Sequence, residues 1–429
     1  MRKKVLVRAP VLTRSGYGEH GRFVIRALRS KPELFEIYVI PVNWGETGWL
    51  TEDNEERIWL DERIKETATY GEQGGQFDIS IQVTIPNEWQ GMAPINIGVT
   101  AGIETTKVAP VWLEKANMMD KIITISEHSK QSFVNTVYEG MNSQTRQPMI
   151  LKCEKDVNIV HYPVKTFDNL PELKLNLDYD FNYLAMAQAG PRKNLENMIR
   201  WFTEENIDQK VGLVLKTFIK NESVIDRAHT ENMVSSILST YPDRKCKVYL
   251  VHGEMSDAEI HSLYVHPKIK CLISATHGEG FGLPLFEAAY SALPVVAPGW
   301  SGQCDFLYTP YQGKDLKKKK SKKMQPYFSE VDFTMGPVPQ AAVWDGVLQA
   351  DSMWCYPQEG SFKMKLRNVR KDHKKWKKKA LTLQKWILEN FKEESMYEKF
   401  VENIVNKEEK VTDVNAWLKE LESDIVESS

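Results

Sequence analysis

The chain has 429 residues, 42% of them hydrophobic and 27% charged, and a formal net charge of −2. This composition fits a globular protein of two domains, or two and a tail, and it excludes a collagen, a coiled-coil rod and a wholly disordered chain. No run of about 18 apolar residues occurs, so no segment reads as a transmembrane helix.

Residues 1–20, MRKKVLVRAPVLTRSGYGEH, begin with basic residues and hold only a short apolar stretch. They read as a first strand rather than a signal peptide, and cytoplasmic residence (a host's cytoplasm if the chain is viral) is the expectation. The strand is followed by Gly16-Tyr17-Gly18-Glu19-His20-Gly21, a formal GxGxxG opening a helix. The loop before it is longer than in dinucleotide-binding turns, and the acid that would meet a ribose, Glu36, comes too early and inside a strand. A dehydrogenase is therefore the weakest reading. A glycine-rich loop at a helix N-terminus still suits a phosphate or a sugar, because unpaired N–H groups point outward there.

Short, continuously apolar runs then alternate with helical stretches. The first half offers runs at 4–9, 35–42, 77–84, 95–101, 121–126 and 157–163, and the second at 181–187, 211–219, 246–252, 270–275 and 293–298. Apolar runs without alternation are what strands covered on both faces look like, so each half predicts a parallel sheet with helices on its faces. Helices are expected over 127–139, 194–205, 256–265 and 283–292, with Ser126 capping the first and Ser256 and Glu259 forming a capping box on the third. The polar stretch 165–180 separates the halves. The division is then 1–164, an N-terminal Rossmann-like domain; 165–180, a linker; 181–350, a C-terminal Rossmann-like domain with a Lys-rich insertion at 309–340; and 351–429, closing helices with an acidic tail.

Five scattered cysteines, Cys153, Cys246, Cys271, Cys304 and Cys355, form no CxxC pair, so they read as buried small hydrophobes rather than a disulfide framework or a zinc site. Lysine is concentrated in two places. Residues 314–323 hold seven Lys and one Asp, and 363–379 hold ten Lys or Arg and one Asp, leaving 39 basic against 56 acidic residues elsewhere. Three readings are open: a solvated charge run, a hold on an acidic lipid surface, or a track for a nucleic-acid backbone with Trp376 available to stack.

The densest motif is His277-Gly278-Glu279-Gly280-Phe281-Gly282-Leu283-Pro284-Leu285-Phe286-Glu287. It follows a strand and enters a helix, with two acids in the pattern E-x7-E. Gly280 and Gly282 let a ligand approach the backbone, and the helix entered at Pro284 turns its positive end toward that ligand. The pattern suits a diphosphate.

The segment HGEGFGLPLFEAAYSALPVVAP (277–298) resembles the donor-site signature of the GT-B family of retaining, nucleotide-sugar-dependent glycosyltransferases (group 1, E-x7-E type), and AQAGPRKNLENMIRWF (187–202) resembles the family segment that opens the C-terminal domain. The resemblance implies an α/β GT-B architecture, two Rossmann-like doubly wound domains facing a cleft, with donor on the C-terminal domain and acceptor on the N-terminal one. It implies catalytic roles for Lys193, Glu279 and Glu104, the last being the acid of Thr100–Thr106 expected near the reacting sugar. The donor would be held by Gly16, Gly18, Arg192, Lys193, Lys216, Gly280, Phe281, Gly282, Leu283, Glu287, Ser301 and Gly302. Gln188 stands where the family often has an arginine, and Arg192 is the substitute cation. No metal and no cofactor are expected. The co-substrate would be a UDP- or GDP-sugar, and the mechanism a front-face one without a protein nucleophile. Acceptors to weigh are a glycan, a lipid-linked sugar or a hydroxymethylated base in viral DNA, the Lys-rich segments touching DNA or acidic lipid. The reading from another class is a nucleotide-sugar binding protein without turnover.

Overall fold

The structure, a computed structural model, describes residues 2–141, 146–311 and 323–405. Strands β1 (Lys3–Ala9), β2 (Phe35–Pro41), β3 (Ile79–Val83), β4 (Ile95–Thr100) and β5 (Lys121–Thr124) are followed by an antiparallel hairpin, β6 (Val137–Met141) and β7 (Pro148–Lys152), and then by β8 (Val157–Ile159). The first sheet runs β2-β1-β3-β4-β5-β8, parallel throughout. The second half repeats the plan with β9 (Asn182–Gln188), β10 (Gly212–Phe218), β11 (Lys247–Val251), β12 (Ile269–Ile273) and β13 (Val295–Pro298). A short antiparallel pair, β14 (Tyr308–Pro310) and β15 (Met324–Pro326), leads to β16 (Ser329–Val331), which completes the parallel order β11-β10-β9-β12-β13-β16. A last hairpin joins β17 (Phe333–Pro337) to β18 (Met353–Pro357).

All eleven apolar runs read from the sequence are strands of these two sheets. Full coverage by helices explains their continuous hydrophobicity: all five residues of β3 are buried, as are the first six of β10. The twelfth strand, β16, arises inside the segment 309–340. The lysines of 314–322 and the tail from 406 lie outside the described residues.

The helices that matter for the site are α1 (Gly16–Arg29), α2 (Glu55–Glu72), α3 (Pro110–Asn117), α4 (Glu127–Asn135), α5 (Leu195–Glu205), α6 (Val224–Leu238), α7 (Asp257–Val265), α8 (Leu283–Tyr290) and α9 (Cys304–Leu307). Ser126 caps α4 by accepting from the Ser129 amide, and Ser256 with Glu259 makes the expected capping box on α7. The helix expected over 127–139 stops at Asn135, because the β-branched Thr136-Val137 turns extended and Val137–Met141 pairs as β6.

Three helices close the chain: α10 (Glu359–Lys371), α11 (His373–Asn390) and α12 (Glu393–Ile404). The last two fall within the closing helices expected over 351–429, with a break at Phe391-Lys392. Helix α12 crosses back to the first domain, where Phe400 and Tyr397 meet Phe23 of α1 with ring centroids 5.8 and 5.9 Å apart. At the crossing, the Val164 amide donates to the Phe391 carbonyl at 2.9 Å. One apolar core therefore runs through both domains, from Val5 and Phe23 to Phe281, Ile387 and Phe400. Two further cores lie on the outer faces, one beneath α5 and α10 and one around Trp89, Trp112 and Phe133.

All five cysteines are free. Cys246, Cys271 and Cys355 are buried as expected, whereas Cys153 and Cys304 are only half-buried. The basic run 363–379 spans α10 and the start of α11. Part of it is internal glue: Lys363 pairs with Glu204, Arg367 with Glu205, and Arg370 donates to Gln209. Trp376 packs against the second core with the Lys379 ammonium 4.9 Å from its ring centre, so its faces are already occupied. No helix among the described residues is long and apolar enough to cross a membrane.

Candidate active site

The loops at the carboxyl ends of both sheets face each other, the position where open α/β sheets bind ligands. Between them lies a cleft of about 710 Å³. Its walls include Gly16, Glu104, Arg192, Lys193, Lys216, Gly280, Phe281, Gly282, Leu283 and Glu287, together with Glu279. Gly18, Ser301 and Gly302 do not reach it.

Four charged side chains meet at its centre. Lys193 Nζ lies 2.6 and 2.8 Å from the two Glu279 carboxylate oxygens. Arg192 spans the domains, 3.1 Å from Glu279 and 3.2 Å from Glu104. Burial alone would raise the Glu279 pKa, but Lys193 and Arg192 outweigh it and hold the carboxyl down at about 2. With both cations in place Glu279 is therefore ionised at neutral pH. Burial shifts Lys193 downward against the pull of Glu279. Arg192, half-buried, is shifted upward by Glu104 and Glu279 against the desolvation that would lower it. Gln188 carries no charge to this cluster. Its side-chain amide donates to the Ile219 carbonyl at 3.0 Å, and Arg192 is the second cation beside Lys193.

Behind Glu279, the Ser301 hydroxyl accepts from the Glu279 amide at 2.8 Å, and the Gly302 amide donates to the Glu279 carbonyl at 2.9 Å. These two residues shape the loop from the back rather than forming the wall. In front, the Ser126 hydroxyl at the start of α4 donates to the Gly280 carbonyl at 2.6 Å, tying the donor loop to the other domain. Gly282, at φ +93°, caps α8 in a backbone region that favours glycine, and Pro284 sits in the first turn, so the amide end of α8 opens on the cleft. Lys216 is buried, paired with Glu222 and donating to the Gly253 carbonyl at 2.7 Å.

Glu287 lies one turn into α8. Burial pushes its carboxyl up to about 7, against the pull of Lys165 and a hydrogen bond from Tyr264 at 2.8 Å. A carboxyl raised in the folded state stabilises the fold at low pH. That contribution is lost as pH rises from the unfolded value, near 4.5, through about 7. A ligand whose hydroxyls donate to Glu287 prefers the ionised form. The affinity of such a ligand, measured by calorimetry, is therefore expected to strengthen as pH rises through about 7, and E287Q to flatten the profile.

The glycine loop divides in two. A Cβ on Gly18 would sit 2.1 Å from the Thr13 carbonyl oxygen, and the Gly18 amide is already taken by Ser15, which caps α1. A Cβ on Gly16 meets nothing within 4 Å, and Gly16 alone of the two faces the cleft. G18A is expected to destabilise the protein by about 1–3 kcal/mol, and G16A by less than about 0.5 kcal/mol, as read by thermal unfolding.

Several cleft residues escaped the sequence reading. Lys165, the first residue of the stretch taken as a linker, bridges Glu19 of α1 at 2.9 Å and Asp257 of α7 at 2.8 Å. Tyr17 and Trp44 stack with centroids 4.1 Å apart, and Tyr17 exchanges a hydrogen bond with Thr100 at 2.8 Å. Trp344 and Leu348 reach the cleft from a loop late in the chain. The one available signal was the aromatic character of Tyr17 inside a glycine loop. Lys165, Trp44 and Trp344 carry no local pattern. Among the described residues no group of three or more His, Cys, Asp or Glu is placed to hold a metal ion.

No protein-family model matches the chain, and no curated protein sequence matches it. Solved structures do. Sucrose-phosphate synthase from Thermosynechococcus elongatus superposes with a TM-score of 0.58 at 12% identity, over 100% of both chains. A glycosyltransferase from Rickettsia africae gives 0.57 at 13% identity, over 94% of this chain and 97% of its own. HepE of Anabaena, in complex with UDP and glucose, gives 0.56 at 12% identity, over 94% and 99%. At such identities the likeness is one of architecture, and it agrees with the two six-stranded parallel sheets across a cleft: the chain has the GT-B fold.

Proposed function

We propose that the chain is a retaining, metal-independent glycosyltransferase working in the cytoplasm, moving a hexosyl or pentosyl group from a UDP- or GDP-sugar to an acceptor hydroxyl. The observation that carries this reading is the meeting of Arg192, Lys193 and the amide end of α8 on one wall of a cleft of about 710 Å³. That volume suits a nucleotide sugar. The presence of HepE in complex with UDP and glucose among the structures it resembles supports the donor class.

In the transfer, the bond between sugar C1 and the diphosphate oxygen breaks and a bond from the acceptor oxygen to C1 forms on the same face. The acceptor proton passes to the departing phosphate oxygen, so no protein nucleophile is needed. The leaving diphosphate gathers negative charge, and fixed cations and amide dipoles stabilise that charge most. Bound there, phosphate oxygens replace carboxylate oxygens as partners of Lys193 and Arg192. Glu279 is then released to accept from a sugar hydroxyl, and Glu104 to face the reacting centre. Glu287 accepts from the ribose.

The test is a donor screen with UDP-, GDP-, ADP- and CMP-sugars, reading released nucleotide and, separately, binding by calorimetry. Slow release from one donor supports the proposal and names the sugar. Binding with no release across a set of acceptors favours a sensor without turnover, and the absence of any nucleotide binding overturns the proposal.

A further inference from the structure

The polypeptide between β17 and β18 leaves the second domain and lies against the first. The Asn87 side chain donates to the Gly346 carbonyl at 2.9 Å, Lys107 pairs with Asp351 at 2.6 Å, and the Met353 amide donates to Thr106 at 3.1 Å. Val347 is buried in the core around Trp89 and Trp112. Asn87 is itself held by the Trp112 indole N–H at 2.5 Å. Residues 344 and 348 bond to each other in both directions, closing a tight turn, and Gly346 within it has φ +70°. This strap is thus fixed at several points and its turn needs a glycine.

What the strap delivers is Trp344, 59% exposed, on the wall of the cleft that Ile103 and Glu104 also line. An indole left open on a cleft wall offers an apolar face there, and binding pockets typically combine such aromatic faces with a few polar groups. The charge around it narrows what binds. Segments 85–90, 101–109 and 338–352 hold Glu88, Glu104, Asp345 and Asp351, and the cations at them, Arg8, Arg192 and Lys107, are paired with Glu88, Glu104 and Asp351. A phosphodiester backbone needs unpaired cations along its path, and each of the three at this rim is already held by a carboxylate. A neutral sugar ring, with an apolar C–H face and hydroxyl donors for carboxylates, fits both the indole and the rim.

We propose that Trp344 is the acceptor platform: its indole stacks on a ring of a neutral glycan acceptor and sets that ring against Glu104. This rests on the glycosyltransferase reading. Saturation-transfer NMR with maltose, cellobiose and lactose, and with a hexadeoxynucleotide in a separate arm, tests it on the full-length protein in the presence of UDP. At least one sugar is expected to receive saturation, with the signal falling at least about fivefold in W344A and largely kept in W344F. UDP affinity, read by calorimetry, should stay within about twofold throughout, which also shows that the variants fold. Transfer to the oligonucleotide through Trp344, sugar signals that ignore W344A, or no signal from any sugar would each overturn the assignment while leaving the donor site standing. Loss of UDP binding in the parent protein would instead count against the glycosyltransferase reading itself.

Discussion

Replacing Lys193 by alanine is expected to lower the rate of sugar transfer at saturating donor by at least about 10²-fold, the scale of one lost electrostatic contact at a transition state. The ammonium lies within 2.8 Å of both Glu279 oxygens, on a cleft wall that Arg192 and the amide end of α8 also line. The deletion acts twice. It removes positive charge where the departing diphosphate gathers negative charge. It also leaves Glu279 with Arg192 as its remaining cation, so its carboxyl rises from about 2. The fall should lie mainly in kcat rather than KM, because the charge on the diphosphate is greatest in the transition state. Steady-state nucleotide release from the donor found in the screen measures it. An unchanged kcat with a raised KM would mean that Lys193 only binds.

The largest effect on folding is expected from G302A. A Cβ on Gly302 would lie 1.9 Å from the Gly280 carbonyl oxygen and 2.8 Å from the Phe281 Cα. These are backbone atoms of the donor loop, itself pressed from the other side by Ala101, whose carbonyl lies 2.5 Å from where a Gly280 Cβ would be. The loop has nowhere to retreat. The cost should therefore reach or exceed the upper end of the ~1–3 kcal/mol typical of overpacking. Thermal unfolding reads the stability loss. The same variant should weaken UDP binding, since the Gly302 amide anchors the Glu279 carbonyl. A folded G302A with full UDP affinity would show that the loop is far softer than its contacts imply.

The doubly wound plan was legible because burial on both faces writes itself as unbroken apolar runs, as in VGLVLK of β10. The glycine-rich loop ahead of α8 was legible because a strand, three closely spaced glycines and a proline-started helix must be consecutive in the chain to make one turn. Strand β16, with three residues, and the hairpins are too short to carry a period, and they escaped. So did every cleft residue whose role depends on distant neighbours. Lys165 acquires its meaning from Glu19 and Asp257, far apart in sequence and brought together by the crossing of the two domains. The reading of Ser301 and Gly302 was right about their neighbourhood, but a sequence does not tell the front of a loop from its back. Likewise the run of lysines at 363–379 gave no sign that Glu204 and Glu205 were waiting for part of it.

The polypeptide passes between the domains near Val164 and returns near Phe391, and there the two passages are hydrogen-bonded to each other. A body joined by one thread can swing and twist about every axis, whereas one joined by two threads laid side by side keeps a single easy rotation, like a book turning on its spine. Here the strap between β17 and β18 adds further ties to the first domain and one apolar core runs through both, so even that rotation is restrained. The cleft walls are thus held in register across the domains, with Ser126 on the Gly280 carbonyl and Arg192 between two carboxylates, by a crossing of the chain that lies elsewhere.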